Sequence, residues 1–381
     1  MDVYLDNAAT TPLDPEVISE MSGFMERFYG NPSSTHFKGR ETRVELEKAR
    51  KKIASIVGAA EKEIIFTSGG TEANNFILKS LSLAGELNRI ISSPIEHHSV
   101  LDSLEWISKN TKVKIHYLSV DEKGNCDLEE LEKGLKAGKK TLVSLMHGNN
   151  EIGNLLDLKK VGDLCLSNNA LFHTDMVQTL GHYPISLNAL PIDFASASAH
   201  KIHGPKGSGF LYIKNKAGKL RPYFHGGAQE RGLRGGTENI LGIIGMAKAF
   251  EVARNTMDDQ KALIAGLKNR MIEQLNSQIP SVQYNGLSGQ SDGCMYNILN
   301  VQLPGPYDNT LLFNLDLMKI AVSEGSACSS GASEGSHVLR AMGQSENNFN
   351  NIRISFSKMN TTEEIDYAAK AIAKVYRDLL E

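Results

Sequence analysis

The sequence predicts an α/β protein in two parts: a large domain on a mostly parallel, seven-stranded sheet, and a smaller α+β domain. Three observations carry this. Between Ile64 and Ile213, seven short apolar runs alternate with turns and helical stretches, which is how a parallel sheet covered by helices reads. After Thr237 the texture changes, with longer helical stretches and sparser strands. A chain of 381 residues is also longer than one hydrophobic core usually supports.

The elements follow in order. Asp6 to Pro12 is a loop of small and polar residues. Asp14-Pro15 opens a helix, with the aspartate as N-cap and the proline at the first helical position. Asn31 to His36 is a loop of turn formers. In the charged helix that follows, Val44, Leu46, Ala49, Ile53 and Ile56 form an apolar stripe and Gly58 is the stop. Strands are expected at Ile64–Thr67, Ile90–Ser92, Val113–Tyr117, Leu142–Met146, Leu171–Asp175, Phe194–Ser198 and Gly209–Ile213. Helices such as Val100–Lys109 and Leu158–Leu166 lie between them. Beyond Thr237, helices are expected at Ile240–Ala253 and Asp258–Gln278, and strands at Met295–Val301 and Ile352–Phe356. An amphipathic helix, Thr361–Leu380, is capped by Thr361 or Thr362. No internal repeat is visible.

Composition narrows the function. Lys plus Arg is 41 and Asp plus Glu is 44, a net charge of −3, which disfavours a general nucleic-acid binder. The four cysteines, Cys126, Cys165, Cys294 and Cys328, are far apart and form no C-x-x-C pair. That disfavours a zinc ribbon, a redox dithiol or a disulfide framework. Met1 to Asp6 lacks the features of a signal peptide, and the most apolar run, Ile240–Phe250, is too short to span a bilayer. The expectation is a soluble protein of a reducing, cytoplasmic compartment that binds no membrane.

The chemistry-bearing residues fall just after predicted strands, where ligands of α/β sheets gather. Ser68-Gly69-Gly70-Thr71-Glu72 joins a strand to a helix; such a turn is often a plain connector, but glycines before a helix N-terminus also suit a phosphate. Gly138-Lys139-Lys140-Thr141 lacks the Walker spacing, and no G-x-G-x-x-G follows a strand. Asp175, with Gln178 one turn later, reads as a cap or ion-pair partner, or as the carboxylate that keeps a pyridinium nitrogen protonated. His97, in Glu96-His97-His98, is either structural or placed to stack on a flat ring and exchange protons. In Ser196 to Gly207, small residues lead to Lys201, whose amine could condense with an aldehyde; the residues alone do not choose it over Lys206. Cys328 sits in a Gly/Ser-rich stretch, a better home for an accessible thiol than for a buried one. Arg353 lies inside an apolar strand, where it needs an internal carboxylate or a substrate's.

Together these stretches resemble a cysteine desulfurase of the class V aminotransferase type, a pyridoxal-phosphate enzyme of fold type I. The resemblance covers nearly the whole chain. It rests on Leu5 to Thr11, Gly30-Asn31-Pro32-Ser33-Ser34, Thr67 to Glu72, His147-Gly148-Asn149-Asn150-Glu151-Ile152-Gly153 and His200 to Gly207. Gly325-Ser326-Ala327-Cys328 is similar to the first of two desulfurase groups. The resemblance implies a large domain over 14–240 and a small one from 1–13 and 241–381. It implies that Lys201 forms the imine link to pyridoxal 5'-phosphate. Gly70, Thr71, Ser198 and His200 would bind the cofactor, the last three at its phosphate. Asp175 would pair with the ring nitrogen, Gln178 and Asn150 would contact the ring's oxygen side, and His97 would stack on the ring. Arg353, with Asn150, would hold the carboxylate of L-cysteine. Cys328 would take the sulfur as a persulfide, with His97 as acid/base. Thr237 would reach the phosphate in the other subunit of a homodimer. The implied partner is an iron–sulfur scaffold or another sulfur acceptor. Selenocysteine lyase or aminotransferase chemistry, and a non-catalytic persulfide carrier, are the alternatives.

Overall fold

The computed structural model describes residues 1–214, 220–305, 310–325, 335–344 and 349–380. Its strands are β1 (Val3–Tyr4), β2 (Ile64–Thr67), β3 (Arg89–Ser92), β4 (Lys114–Tyr117), β5 (Thr141–Ser144), β6 (Leu171–Asp175), β7 (Phe194–Ser198), β8 (Gly209–Ile213), β9 (Gln283–Tyr284), β10 (Ile298–Pro304), β11 (Ile320–Ala321) and β12 (Phe349–Ser355). The helices are α1 (Pro15–Arg27), α2 (Phe37–Val57), α3 (Gly70–Leu83), α4 (His98–Asn110), α5 (Leu128–Leu135), α6 (Leu158–Ser167), α7 (Ile240–Asn255), α8 (Met257–Gln278), α9 (Thr310–Leu317), α10 (His337–Ala341) and α11 (Thr362–Asp378).

Seven strands form the central sheet in the order β2-β8-β7-β6-β5-β3-β4. Every pairing is parallel except the two made by β8. The mostly parallel sheet is therefore as expected, and each of the seven strands falls within a few residues of its predicted place.

Successive side chains of a strand point to opposite faces, and the core divides accordingly. Phe66, Ile91, Val143, Ala195 and Phe210 face α1, α2, α5, α6 and α7. Their neighbours Ile65, Ile90, Leu142, Phe194 and Leu211 face α3 and α4. Buried on both sides, the sheet is a rigid platform whose carboxyl ends carry the loops discussed below.

A second core joins α8, β10, β12 and α11 to Val3 and Leu5. There β9, β10 and β12 form an antiparallel sheet, and β1 pairs in parallel with β11 through Val3 and Ile320. Ile243, Met246 and Phe250 of α7 still belong to the first core, because α7 packs on α1 and α2.

Local signals are mostly used as read. Asp14 caps α1 by accepting from Glu16 N, and Gly58 ends α2 at φ +65°. Thr361, not Thr362, caps α11, in a reciprocal capping box with Glu364. Val44 departs from its expected place: it is 51% exposed, while Leu46, Ala49 and Ile53 of the same stripe are buried. Position 44 lies two residues before Leu46, too far round the helix to share its face. Among the described residues no helix is long and apolar enough to cross a membrane, and no cluster of His, Cys, Asp and Glu could hold a metal ion.

Candidate active site

The carboxyl ends of β2, β6 and β7 converge on a cleft of about 170 Å³. Gly70, Thr71, His97, Asn150, Asp175, Gln178, Ser198, His200, Lys201 and Arg353 all line it, as do Ala8, Ala9, Ser99 and Met146. Residues spread over most of the chain are thus brought together.

The turn after β2 shows why glycine is needed. Gly69 precedes α3 at φ +152°, and a Cβ on Gly70 would lie 2.4 Å from Val177 Cγ2. Only glycine lets α3 begin this close to the end of β6. The turn is braced by Glu72, which accepts from Ser68 N at 2.8 Å and from Arg234 Nε at 3.0 Å. Burial raises the Glu72 pKa, but its bonds to Arg234 and Ser68 outweigh this and hold it below the usual carboxylate range. The N-terminus of α3 therefore faces the cleft with its positive dipole end, beside Thr71 and the Ser198 side of β7.

Asp175 ends β6 and is 7% exposed. Asn74 Nδ2 donates to its Oδ2 at 2.6 Å and Val177 N to its Oδ1 at 2.9 Å. Both partners are uncharged, so the carboxylate is fixed in place without an ion pair to either of them. Asn74 also donates to Ser99 Oγ at 2.9 Å, and Ser99 Oγ lies 2.8 Å from His97 Nδ1. His97 caps α4, its Nδ1 accepting from Ser99 N at 3.1 Å, which leaves the neutral ring's proton on Nε2. Burial lowers the His97 pKa and Lys201, His98 and His337 add to this, against an opposing contribution from Asp175. One chain of hydrogen bonds thus runs from Asp175 to His97.

Lys201 closes the single turn that follows β7. Its Nζ donates to the carbonyls of Ala8 at 2.5 Å and Ala9 at 2.7 Å. Gln178 Nε2 donates to the Ala8 carbonyl at 3.0 Å. The Lys201 carbonyl in turn accepts from His182 Nε2 at 3.1 Å. Next to it, burial first, then Lys201 and Lys206, push the His200 pKa down to about 4. Lys206 is exposed and does not line the cleft, whereas Lys201 does.

Arg353 of β12 is 2% exposed. It donates from Nη2 to Asp6 Oδ1 at 2.7 Å and from Nη1 to the Asn150 carbonyl at 3.0 Å. The internal ion pair considered for it is present, yet its buried Nε has no partner, and it still borders the cleft.

Two expected residues are not in this group. Thr237 is exposed and outside the cleft lining. Cys328 lies outside the described residues. The sequence reading assigned no role to Asp6, Asn74, Ser99 or His182. Asn74 carried a usable signal, a polar side chain on a helix face that is otherwise apolar, since a buried amide needs a partner.

A family model described as aminotransferase class-V matches residues 3–368. The cysteine desulfurase IscS of Dictyoglomus turgidum is 42% identical over 381 residues, covering 99% of this chain and 95% of that protein. A solved NifS-like protein superposes with a TM-score of 0.90 at 39% identity, covering 99% of this chain and 100% of that one. The structure of SspA in complex with cysteine gives a TM-score of 0.79 at 29% identity over 94% of this chain and 100% of that one. The site draws on residues from Ala8 to Arg353 and these likenesses extend over nearly the full length, and the chain belongs to the cysteine desulfurases of the aminotransferase class-V family, which are pyridoxal-phosphate enzymes.

Proposed function

We propose that this chain converts L-cysteine to L-alanine and passes the sulfur, held as a persulfide on Cys328, to an acceptor protein serving iron–sulfur cluster or thio-cofactor synthesis. The observation that carries the reading is the meeting of Lys201 Nζ, Asp175, His97 and the N-terminus of α3 around one cleft.

The residues present fit pyridoxal phosphate. Gly70 lets α3 begin against Val177, which brings the helix N-terminus to the edge of the cleft. Thr71, Ser198 and His200 offer donors for a phosphate, and the α3 dipole favours its charge. Asp175, whose partners Asn74 and Val177 are uncharged, is the group to pair with a protonated ring nitrogen. Gln178 and Asn150 would contact the ring's oxygen side, and His97, which lines the same cleft, would stack on the ring. When bound, the cofactor supplies an aldehyde that condenses with amines and a ring that takes up electron density from the substrate's α-carbon.

The protein's own residues divide the remaining work. Lys201 Nζ, now between two carbonyls, is the base that moves the substrate's α-proton. Arg353 and Asn150 orient the substrate carboxylate; Arg353 has donors beyond those given to Asp6 and the Asn150 carbonyl. The Cys328 thiolate attacks the substrate sulfur, so that the persulfide S–S bond forms as the substrate's Cβ–S bond breaks; the electron pair stays with the carbon fragment, which is protonated to alanine, and His97 Nε2 holds the proton exchanged there. Two copies of the chain share their sites, with Thr237, exposed on its own subunit, reaching the phosphate of the other. A cytoplasmic setting keeps the thiol reduced.

The test compares variants. Lys201→Ala abolishes the borohydride-trapped cofactor adduct on the peptide that contains position 201. Cys328→Ala keeps the cofactor's visible absorbance but loses sulfur transfer. A parent protein that stays colourless with added pyridoxal phosphate, or a Cys328→Ala variant that still transfers sulfur, refutes the reading.

A further inference from the structure

The chain enters and leaves segment 326–334, which carries Cys328, at neighbouring points. Before it, Gly325 stands at φ +77°, and a Cβ there would lie 3.0 Å from Glu151 Oε2 and 3.3 Å from Ser336 Cβ. After it, Ser336 Oγ donates to the same Glu151 Oε2 at 2.5 Å and accepts from Leu339 N, capping α10. His337 follows. Its Nε2 donates to the Glu96 carbonyl at 2.9 Å, and its Nδ1 lies 3.8 Å from Glu151 Oε1.

Glu151 itself is fully enclosed. Its side chain is 0% exposed, and Oε1 has no hydrogen-bond partner. A carboxylate placed there is costly unless it is paired and bonded. Its backbone is held on both sides, N donating to Asn149 Oδ1 at 2.8 Å and O accepting from Asn300 Nδ2 at 3.1 Å. The preceding residue, Asn150, lines the cleft. Arg353, which binds the Asn150 carbonyl through its guanidinium, pairs through its backbone with Ser323, two residues before Gly325. The cleft wall and both anchors of the segment are therefore one hydrogen-bonded piece, with Glu151 at the join.

We propose that Glu151 is a positioning residue for sulfur transfer: by holding Ser336 beside Gly325 and facing His337, its carboxylate sets where the Cys328-bearing segment is rooted relative to the cleft. It makes or breaks no bond in the reaction. This rests on Cys328 being the nucleophile, which Cys328→Ser tests separately through complete loss of persulfide.

The experiment uses the holoenzyme and reads two quantities. One is the half-saturation of the cofactor's spectral response to L-cysteine. The other is single-turnover persulfide formation on Cys328, followed by alkylation and mass spectrometry. Glu151→Ala leaves the first within about twofold of the parent and slows the second by about tenfold or more, the scale of one lost hydrogen bond to a charged group. Glu151→Gln, which keeps an acceptor for Ser336, recovers part of that loss. Ser336→Ala removes a single hydroxyl and slows the same step; should Glu151→Ala not fold, this variant decides. Persulfide formation within about twofold of the parent in whichever variant decides, or a parallel loss of cysteine response and transfer, overturns the proposal.

Discussion

Asn74→Ala is the most direct probe of how the site is held. The Asn74 amide donates to Asp175 Oδ2 and to Ser99 Oγ, and the residue is wholly buried. Truncation removes one bond to a charged acceptor, worth about 1.5–3 kcal/mol, and one neutral bond, worth about 0.5–1.5 kcal/mol. Unfolding in urea should therefore show a loss of about 2–4.5 kcal/mol. Because Ser99 joins Asn74 to His97, cofactor release, followed by the visible band in a desalting time course, should also quicken. Asn74→Asp sharpens the test. It is nearly isosteric but sets a second carboxyl group against Asp175, where like charges oppose joint ionisation. It should retain cofactor less well than Asn74→Ala at pH 8. An Asn74→Ala protein within about 0.5 kcal/mol of the parent, the scale of a neutral surface substitution, with unchanged cofactor release, would refute the bracing role.

Glu96 offers a pH test. It is fully buried, and desolvation, opposed by its bonds to Met146 and Ser93 and reinforced by Asp175, pushes its pKa up to about 8. With the folded value above the unfolded one, the folded state binds more protons between about pH 4.5 and 8, and stability falls as pH rises through that window. Glu96→Gln should therefore be more stable than the parent at pH 8, with the difference shrinking toward pH 5 in urea titrations. Asp6→Ala leaves the Arg353 guanidinium buried without its carboxylate and should cost on the order of 3 kcal/mol, read by denaturant unfolding. Thr361→Ala removes one half of the capping box of α11 and should cost about 1 kcal/mol in the same assay, without altering the cofactor's absorbance.

The central sheet was legible because short apolar runs punctuated by turn formers leave few other solutions, and strand ends drifted by only a residue or two, past the apolar Leu145-Met146 and onto the polar Arg89 and Thr141. The site was legible for the same topological reason: polar residues just after strands have one end of the sheet to go to. What could not be read locally was pairing across the chain. Two-residue strands such as β1 and β11 carry no periodicity of their own and exist only as partners. Arg353 was open between two carboxylates until Asp6, 347 positions away, was seen beside it. Lys201 and Lys206 differ in burial, which sequence spacing does not express. Val44 was misplaced because a helical stripe two residues too wide still looks periodic.

The carbonyls that grip Lys201 belong to Ala8 and Ala9, and this loop is itself seated by residues from the far side of the chain, Ile320 opposite Val3 and Arg353 beside Asp6. During synthesis, then, the Lys201 amine would reach the ribosome exit long before β12, the strand that carries Arg353. A nascent chain stalled short of residue 320 would already carry Ala8 and Ala9 but not the Arg353 and Ile320 contacts that seat their loop, so loading with pyridoxal phosphate should follow release of the chain rather than accompany its elongation.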